Sequence, residues 1–378
     1  LLTIREFLTQ FKGNEIVIAL ILFNWLILGG IGTLLARIVS HRLLKPGIFG
    51  LAWLSLILAA LCAPQILAIR MLRDVIFIHG SSVGFYPTWL YSFLTITPYC
   101  LLVGFVLPYS LFILKNESAD YPGARIYITD NIGDVSGGAL FSFALVYLVT
   151  PLQAAFFANL PLLAAVCFLF PDSRRYRAYV MMGAGTVIVM LMAGLWFEKP
   201  SLAPSEGVLA HYQETRYGRV AVHRDEDQFT LFEDGNPVFS NQNISIAEET
   251  IHYPLAQLDD IRHVLLISAE SGVMAELQKY NLISVDYVEL DPEVTTIQFQ
   301  FGMLKKIPGL RVIHRDGRAF LSDTDKTYDA IIVNLPEPET FQVNRFYTDR
   351  FFELASAHLR AGGILSFAMQ GFENYIAE

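Results

Sequence analysis

The chain has 378 residues, 53% of them hydrophobic and only 17% charged, a balance that departs from soluble globular proteins in the membrane direction. Charge is uneven: residues 1–204 carry 13 Lys and Arg against 9 Asp and Glu, and residues 205–378 carry 14 against 27. The acidic second half excludes the basic footprint that nucleic-acid binding needs, so no nucleic-acid partner is expected.

The chain opens on Leu1 rather than Met and stops at Glu378 just after an apparent strand, as expected of a piece of a longer protein. "LLTIREFLTQFK" is apolar at helical spacing, with Arg5, Glu6 and Lys12 between, and reads as an amphipathic interfacial helix or the tail of a preceding span. Six runs are long enough to cross a bilayer, near 15–37, 47–69, 88–113, 126–149, 152–170 and 180–197. The partly apolar stretch from Arg70 to Pro87 reads as a re-entrant or interfacial piece. Residues 1–204 are therefore expected to be a multi-span helical membrane domain whose partner is the lipid bilayer, as in a multi-pass protein of a prokaryotic inner or plasma membrane. One set of loops holds Arg37, Arg42, Lys45, Lys115, Arg125, Arg174, Arg175 and Arg177, and the other holds Arg5, Lys12, Arg70, Arg73 and Lys199. The second half follows the poorer side, which leans it outside the cytoplasm. Cys62, Cys100 and Cys167 are far apart in apolar runs, and neither a disulfide framework nor a metal motif follows.

In "RIYITDNIGDVSGGALFSF" the carboxylates Asp130 and Asp134 stand at i and i+4 on one helix face. Gly133 and Gly137 form a small-xxx-small pair that lets a neighbouring helix approach. Intramembrane carboxylates are functional candidates by default. Packing and helix capping near Arg125 is the plainer account of them, and Asn24, Pro98 and Pro108 read as packing features.

"EKPSLAPSEG" reads as a linker, and residues 205–250 as a β-hairpin region with its turn at Asp234-Gly235. Residues 251–378 alternate strand and helix: "HVLLISA", "SGVMAELQKY", "SVDYVEL", "PEVTTIQFQFGML", "LRVIHRD", "YDAIIVNLPEP", "FYTDRFFELASAHLRAGG", "ILSFAMQ". That order predicts a parallel sheet covered on both faces, a Rossmann-like α/β domain. Ligands of such sheets sit beyond the carboxyl ends of the strands. Glu289 ends the second core strand, where a carboxylate can accept both ribose hydroxyls, Asp316 ends the third, and Asn334 and Glu337 follow the fourth. The turn after the first strand, Ser268-Ala269-Glu270-Ser271-Gly272, keeps only Gly272 where nucleotide-binding folds have a glycine-rich cradle.

"YGRVAV" with its hairpin, followed by "VDYVELDPEV", "HRDGRAFL", "YDAIIVNLPEP" and "NRFYTDRFF", resembles the spermidine synthase family, and more closely the multi-span membrane proteins with a fused spermidine-synthase-like domain. "YITDNIGDVSGGALFSF" is similar to later spans of those fusions. The resemblance implies a class I methyltransferase-like domain with an N-terminal β region. It also implies aminopropyl transfer from decarboxylated S-adenosylmethionine, or a related adenosyl compound, to a small cationic amine such as putrescine, without a metal. It puts ribose binding on Glu289 and adenine contact on Asp316, with Gly272 and Glu270 beside the donor. Asn334 falls where the family has an aspartate that helps deprotonate the amine, and Glu337 matches a second acid of that loop. Glu249 and His252, from "EETIHYP", and Tyr347 fall at amine-facing positions.

Two departures matter. Asn334 carries no charge and cannot act as a base, and four non-glycine residues stand in the cradle. Three readings therefore stand: a membrane-bound aminopropyltransferase, a non-catalytic docking subunit of a membrane assembly or homo-oligomer, and a transporter of polyamines or other cations using Asp130 and Asp134.

Overall fold

The computed structural model describes residues 1–42, 47–78, 81–117, 123–168, 174–204, 207–242, 244–269 and 271–368. They fall into two compact units, Leu1–Ser205 and Glu206–Glu378.

The first unit is helical. It comprises α1 (Leu2–Gln10), α2 (Ile16–Arg42), α3 (Ile48–Ile76), α4 (Phe85–Glu117), α5 (Gly123–Leu140), a π-helical turn Phe141–Leu145 running into α6 (Val146–Leu148), α7 (Pro151–Phe168) and α8 (Arg174–Leu195). Among the described residues six segments are long and apolar enough to cross a membrane: Ile16–Ser40, Ile48–Ile76, Phe85–Lys115, Ala124–Leu148, Pro151–Phe168 and Arg174–Leu195. α2 and α4 approach closely. A Cβ on Gly32 would meet Leu101 O at 2.2 Å, and one on Gly104 would meet Gly29 O at 2.3 Å, so only glycine allows the two backbones together. Asn24 is buried between these helices and donates to Ser92 Oγ at 2.9 Å.

One expectation for this unit is corrected below. α1 is the helix that the apolar spacing predicts, with Glu6 and Phe7 fully buried and the Phe7 ring packed on Phe11 and Tyr91. The stretch from Arg70 begins as a continuation of α3 to Ile76, with Arg70 and Arg73 buried. The reason is charge pairing. Arg70 Nε and Nη2 donate to Glu6 at 2.6 and 3.1 Å, and its Nη1 donates to Glu198 Oε1 at 2.8 Å and Ser201 Oγ at 3.0 Å. The other Glu198 oxygen accepts from Thr150 Oγ1 at 2.7 Å and Leu152 N at 2.9 Å. Asp130 and Asp134 lie exposed on α5, and nothing among the described residues comes within 4 Å of a Cβ built at Gly133 or Gly137.

The second unit opens with an antiparallel sheet in the order β1 (Val208–Glu214), β2 (Arg219–Asp225), β3 (Gln228–Glu233), β4 (Asn236–Ser240). Asp234 and Gly235 take φ +48° and +75°, the left-handed pair that a two-residue hairpin turn of matching twist requires. After α9 (Ile244–Leu255) come β5 (His263–Ile267), α10 (Val273–Leu277), β6 (Ser284–Glu289), α11 (Pro292–Gln300), β7 (Leu310–His314), α12 (Gly317–Asp323), β8 (Tyr328–Val333), α13 (Phe341–Asn344), α14 (Asp349–Ala357) and β9 (Leu359–Phe367). These five strands pair in parallel in the order β7-β6-β5-β8-β9. This is the Rossmann-like sheet that strand–helix alternation predicts, with both faces covered by buried aliphatic clusters. Chain order reverses between β5 and β8, so the crevice where such sheets take ligands opens beyond those two strand tips. The expected helix stop at Ala361-Gly362-Gly363 moves: α14 ends at Ala357, and Gly362 (φ +81°) lies inside β9, at a register shift against β8.

The small sheet has a fixed face toward the larger domain. Val220, Val222, Leu231 and Phe239 form one buried cluster with Val294 and Ile297 of α11 and with Met303.

Candidate active site

Four strand tips converge on the crevice. β5 leads into Ser268, whose φ of +59° is left-handed, a region that non-glycine residues enter at a cost of about 1–2 kcal/mol. Ser268 N donates to Val288 O at 2.9 Å and Asn334 N to Ile267 O at 2.9 Å, so the turns after β5 and β8 are tied to the sheet. Ala269 and Ser271 are buried. Gly272 takes φ +88°, and a Cβ there would lie 3.1 Å from Ala247 Cβ on α9, so glycine is needed at this position for backbone and space alike. Glu270 lies outside the described residues.

Glu289 is held from four sides. Its Oε1 accepts from Leu290 N at 2.7 Å and Asp291 N at 3.4 Å, and its Oε2 accepts from Ser268 Oγ and Tyr287 OH, each at 3.2 Å. Burial pushes its pKa up, and these hydrogen bonds oppose the rise without cancelling it. Tyr287 OH also lies 3.2 Å from Gln298 Oε1, and Gln298 Nε2 donates to Ala269 O at 3.3 Å, so α11 braces the carboxylate and the turn together. Asp291 caps α11 by accepting from Glu293 N at 3.0 Å.

Asp316 caps α12, accepting from Ala319 N at 2.9 Å, and its other oxygen pairs with Arg345. Arg345 is fixed in turn by its Nε bond to Gln342 O at 2.8 Å and by Arg318 Nη1 donating to Arg345 O at 3.2 Å. The third strand's acid is thus already neutralised by the segment before α14.

Glu337 is exposed and Asn334 half-buried. Tyr347 packs on Phe367, and its buried hydroxyl finds no partner among the described residues. Burial first, and then the Glu337 carboxylate, raise the Tyr347 pKa. Glu249 is exposed on α9. His252 is engaged inside the fold: Nδ1 lies 2.7 Å from Tyr280 OH and Nε2 lies 2.7 Å from Glu276 Oε2, which also pairs with Lys279. It joins α9 to α10 and the segment after it. Among the described residues no group of three or more His, Cys, Asp or Glu could hold a metal ion.

Residues 244–375 match the model of the spermine/spermidine synthase domain. The C-terminal part of the chain carries that domain. The chain is 30% identical over 261 residues to the polyamine aminopropyltransferase of Oceanobacillus iheyensis, covering 64% of this chain and 51% of that one. It is 25% identical over 286 residues to that of Leptospira interrogans, covering 70% and 57%. The chain therefore spans little more than half the length of these relatives. Among solved structures, a spermidine synthase in complex with the transition state analogue AdoDATO matches at 17% identity and a TM-score of 0.39, over 42% of this chain and 57% of that one. The spermidine synthase from Thermotoga maritima matches at 17% identity and 0.38, over 42% and 56%.

Three residues of this site were not singled out from sequence. Ser268 is a serine doing a glycine's backbone work, which no spacing reveals. Tyr287 reads as a core strand residue, and Arg345 as a surface charge.

Proposed function

We propose that the second unit binds an adenosyl donor beyond the tips of β5, β6 and β7 and supports aminopropyl transfer to a polyamine-type amine, and that the first unit anchors it in a lipid bilayer. The observation that carries this reading is Glu289: a half-buried carboxylate at the tip of the strand beside the topological switch, already surrounded by hydroxyl and peptide donors as a ribose diol would surround it. Decarboxylated S-adenosylmethionine fits the residues present. Glu289 would hold its ribose, Asp316 would lie by its adenine, and the carboxylates of the crevice suit a positively charged sulfonium and amine. When bound, that donor supplies an activated carbon next to the sulfonium.

The chain's own part is to bring a neutral amine to that carbon. Asn334 orients through a backbone bond to β5 and a neutral amide. The only acid described in its loop that matches the resemblance is Glu337, so Glu337 takes the amine's proton.

A second reading has its own support. Ser268 Oγ occupies an acceptor site of Glu289, and Asn334 lacks a charge, as in a domain kept for docking rather than chemistry. Calorimetry of the purified full chain in detergent with methylthioadenosine separates the two. Binding that is lost in Glu289→Ala is the outcome of the first reading, and absence of heat at millimolar ligand leaves the second. A reporter fused to the end of the chain adds an independent arm. The Lys and Arg bias leans the domain away from the cytoplasm, where adenosyl donors are made. A cytoplasmic reporter favours transfer, and an extracytoplasmic one favours docking.

A further inference from the structure

β6 and β7 run side by side in parallel, with Tyr287 opposite Val312 and Glu289 opposite His314. Tyr287 and Val312 pack in one aliphatic cluster with Phe299 of α11. Strand side chains alternate, so Glu289 and His314, each two residues further on, leave the sheet on that same face, about 5 Å apart at the backbone. Arg315 N donates to Glu289 O at 3.1 Å, which holds the two tips together. His314 is exposed, and α11 orients its ring. Its Nε2 lies 2.9 Å from Thr295 Oγ1, and Thr295 Oγ1 lies 2.8 Å from Pro292 O. A carbonyl oxygen can only accept, so the Thr295 hydroxyl donates to Pro292 and accepts from His314. In the neutral ring Nε2 therefore carries the hydrogen, and Nδ1 is left with a lone pair. Thr295 is itself buried, so the tautomer is fixed from inside the fold. Nδ1 has no hydrogen-bond partner among the described residues.

We propose that His314 is a specificity-determining residue of the nucleoside site: its Nδ1 accepts a hydrogen bond from one hydroxyl of a ribose diol while Glu289 takes the other. This rests on the reading of Glu289 as the ribose residue and deepens it, because it makes the ligand class a nucleoside with both hydroxyls free. The need for a second acceptor follows from Glu289 itself. An ionised carboxylate has about four acceptor sites. Leu290 N, Asp291 N, Ser268 Oγ and Tyr287 OH already address them. A diol brings two more donors and can enter only by displacing the longer contacts, so one carboxylate does not serve both hydroxyls. The neighbouring strand tip supplies what is missing, an acceptor on the same face whose lone pair is held open by the bond at the other ring nitrogen.

The test is calorimetry of the full chain in detergent with methylthioadenosine and with its 2′-deoxy and 3′-deoxy analogues. Wild type is expected to bind both analogues more weakly than the parent. His314→Gln keeps an amide N–H near the Nε2 position for Thr295 and offers nothing at Nδ1. It is expected to bind methylthioadenosine about two- to twelve-fold more weakly, the range for one neutral hydrogen bond. It is also expected to lose the preference for the parent over one deoxy analogue, the one without the hydroxyl that Nδ1 holds, and to keep the preference over the other. His314→Asn puts its amide oxygen near the Nδ1 position and is expected to restore the lost preference. Preferences in His314→Gln that match wild type would overturn the proposal and leave the ribose site standing. An equal loss on all three ligands would also overturn it, because a merely structural role weakens them alike. Wild type that does not bind methylthioadenosine at all would overturn the ribose site and this proposal with it.

Discussion

Ser268 Oγ lies 3.2 Å from Glu289 Oε2, on a residue whose backbone is left-handed at φ +59°. One side chain thus strains the turn and also takes an acceptor site that a ribose hydroxyl would use. Replacement by glycine removes both effects. The left-handed penalty is about 1–2 kcal/mol, and glycine's added freedom in the unfolded chain returns about 0.5–1 kcal/mol. The lost hydrogen bond to Glu289 costs about 0.5–1.5 kcal/mol more, so Ser268→Gly is expected to stay close to wild type in stability and to bind methylthioadenosine more tightly. Ser268→Ala keeps the strain, loses the hydrogen bond and should be the least stable of the three. Denaturant unfolding and calorimetry give the order, and a Gly variant below the Ala variant contradicts it.

The Ser268 turn also marks how far the sequence is legible. Strand–helix alternation from His263 onward is enough to fix a parallel sheet, because buried parallel strands read as unbroken aliphatic runs. Capping chemistry places the starts of α11 and α12, where Asp291 and Asp316 accept their own helix N–H groups. What spacing cannot convey is which partner a charge finds across the fold. Asp316 reads as a ligand contact and is paired with Arg345, 29 residues on. His252 reads as amine-facing and is bound to Glu276. Arg70 reads as a loop charge at a membrane surface and proves to be the centre of a buried cluster joining three separate segments.

That cluster has a sharp energetic signature. Arg70 serves two glutamates, and its side chain and that of Glu6 are fully buried. Removing one partner from a buried ion pair costs about 3–5 kcal/mol, because the remaining charge is left without compensation, whereas removing all the charges together can be nearly neutral. Arg70→Met is expected to unfold the chain at a much lower temperature in detergent. The triple variant Glu6→Gln, Arg70→Met, Glu198→Gln should recover most of the loss. Equal Tm values for the single and triple variants would show that the charges are not coupled.

At the opposite end of the sheet from the crevice, Asp329 ties the start of β5 to β8. Its Oδ2 accepts from Arg262 N and His263 N, both at 2.8 Å, and Arg360 Nη1 reaches Oδ1 at 3.0 Å. Burial pushes this carboxyl up, but those donors outweigh it and hold it below its ordinary value. A depressed carboxyl pKa stabilises the folded state above the unfolded value, and that stability is lost as pH falls through the folded value. Asp329→Asn should therefore lower Tm at neutral pH and narrow its gap to wild type on acidification below the usual carboxylate range. A gap that persists unchanged to the acid limit would assign the loss to packing instead.

The chemistry turns on the tip of β8. Asn334 is positioned by its backbone bond to Ile267 O, yet its amide cannot receive a proton, and Glu337 two residues beyond Leu335 is exposed. If Glu337 is the base, a positioned general base contributes about 10²–10⁴-fold, so Glu337→Gln should remove most aminopropyl transfer while leaving methylthioadenosine affinity unchanged. Asn334→Asp places a carboxylate on the better anchored residue and should raise transfer in both the wild-type and the Glu337→Gln background. Product formation from a polyamine acceptor and decarboxylated S-adenosylmethionine measures both. Activity that is indifferent to Glu337→Gln and to Asn334→Asp alike would mean that neither residue handles the amine's proton, and a domain with no activity in any of the four forms would leave the docking reading in its place.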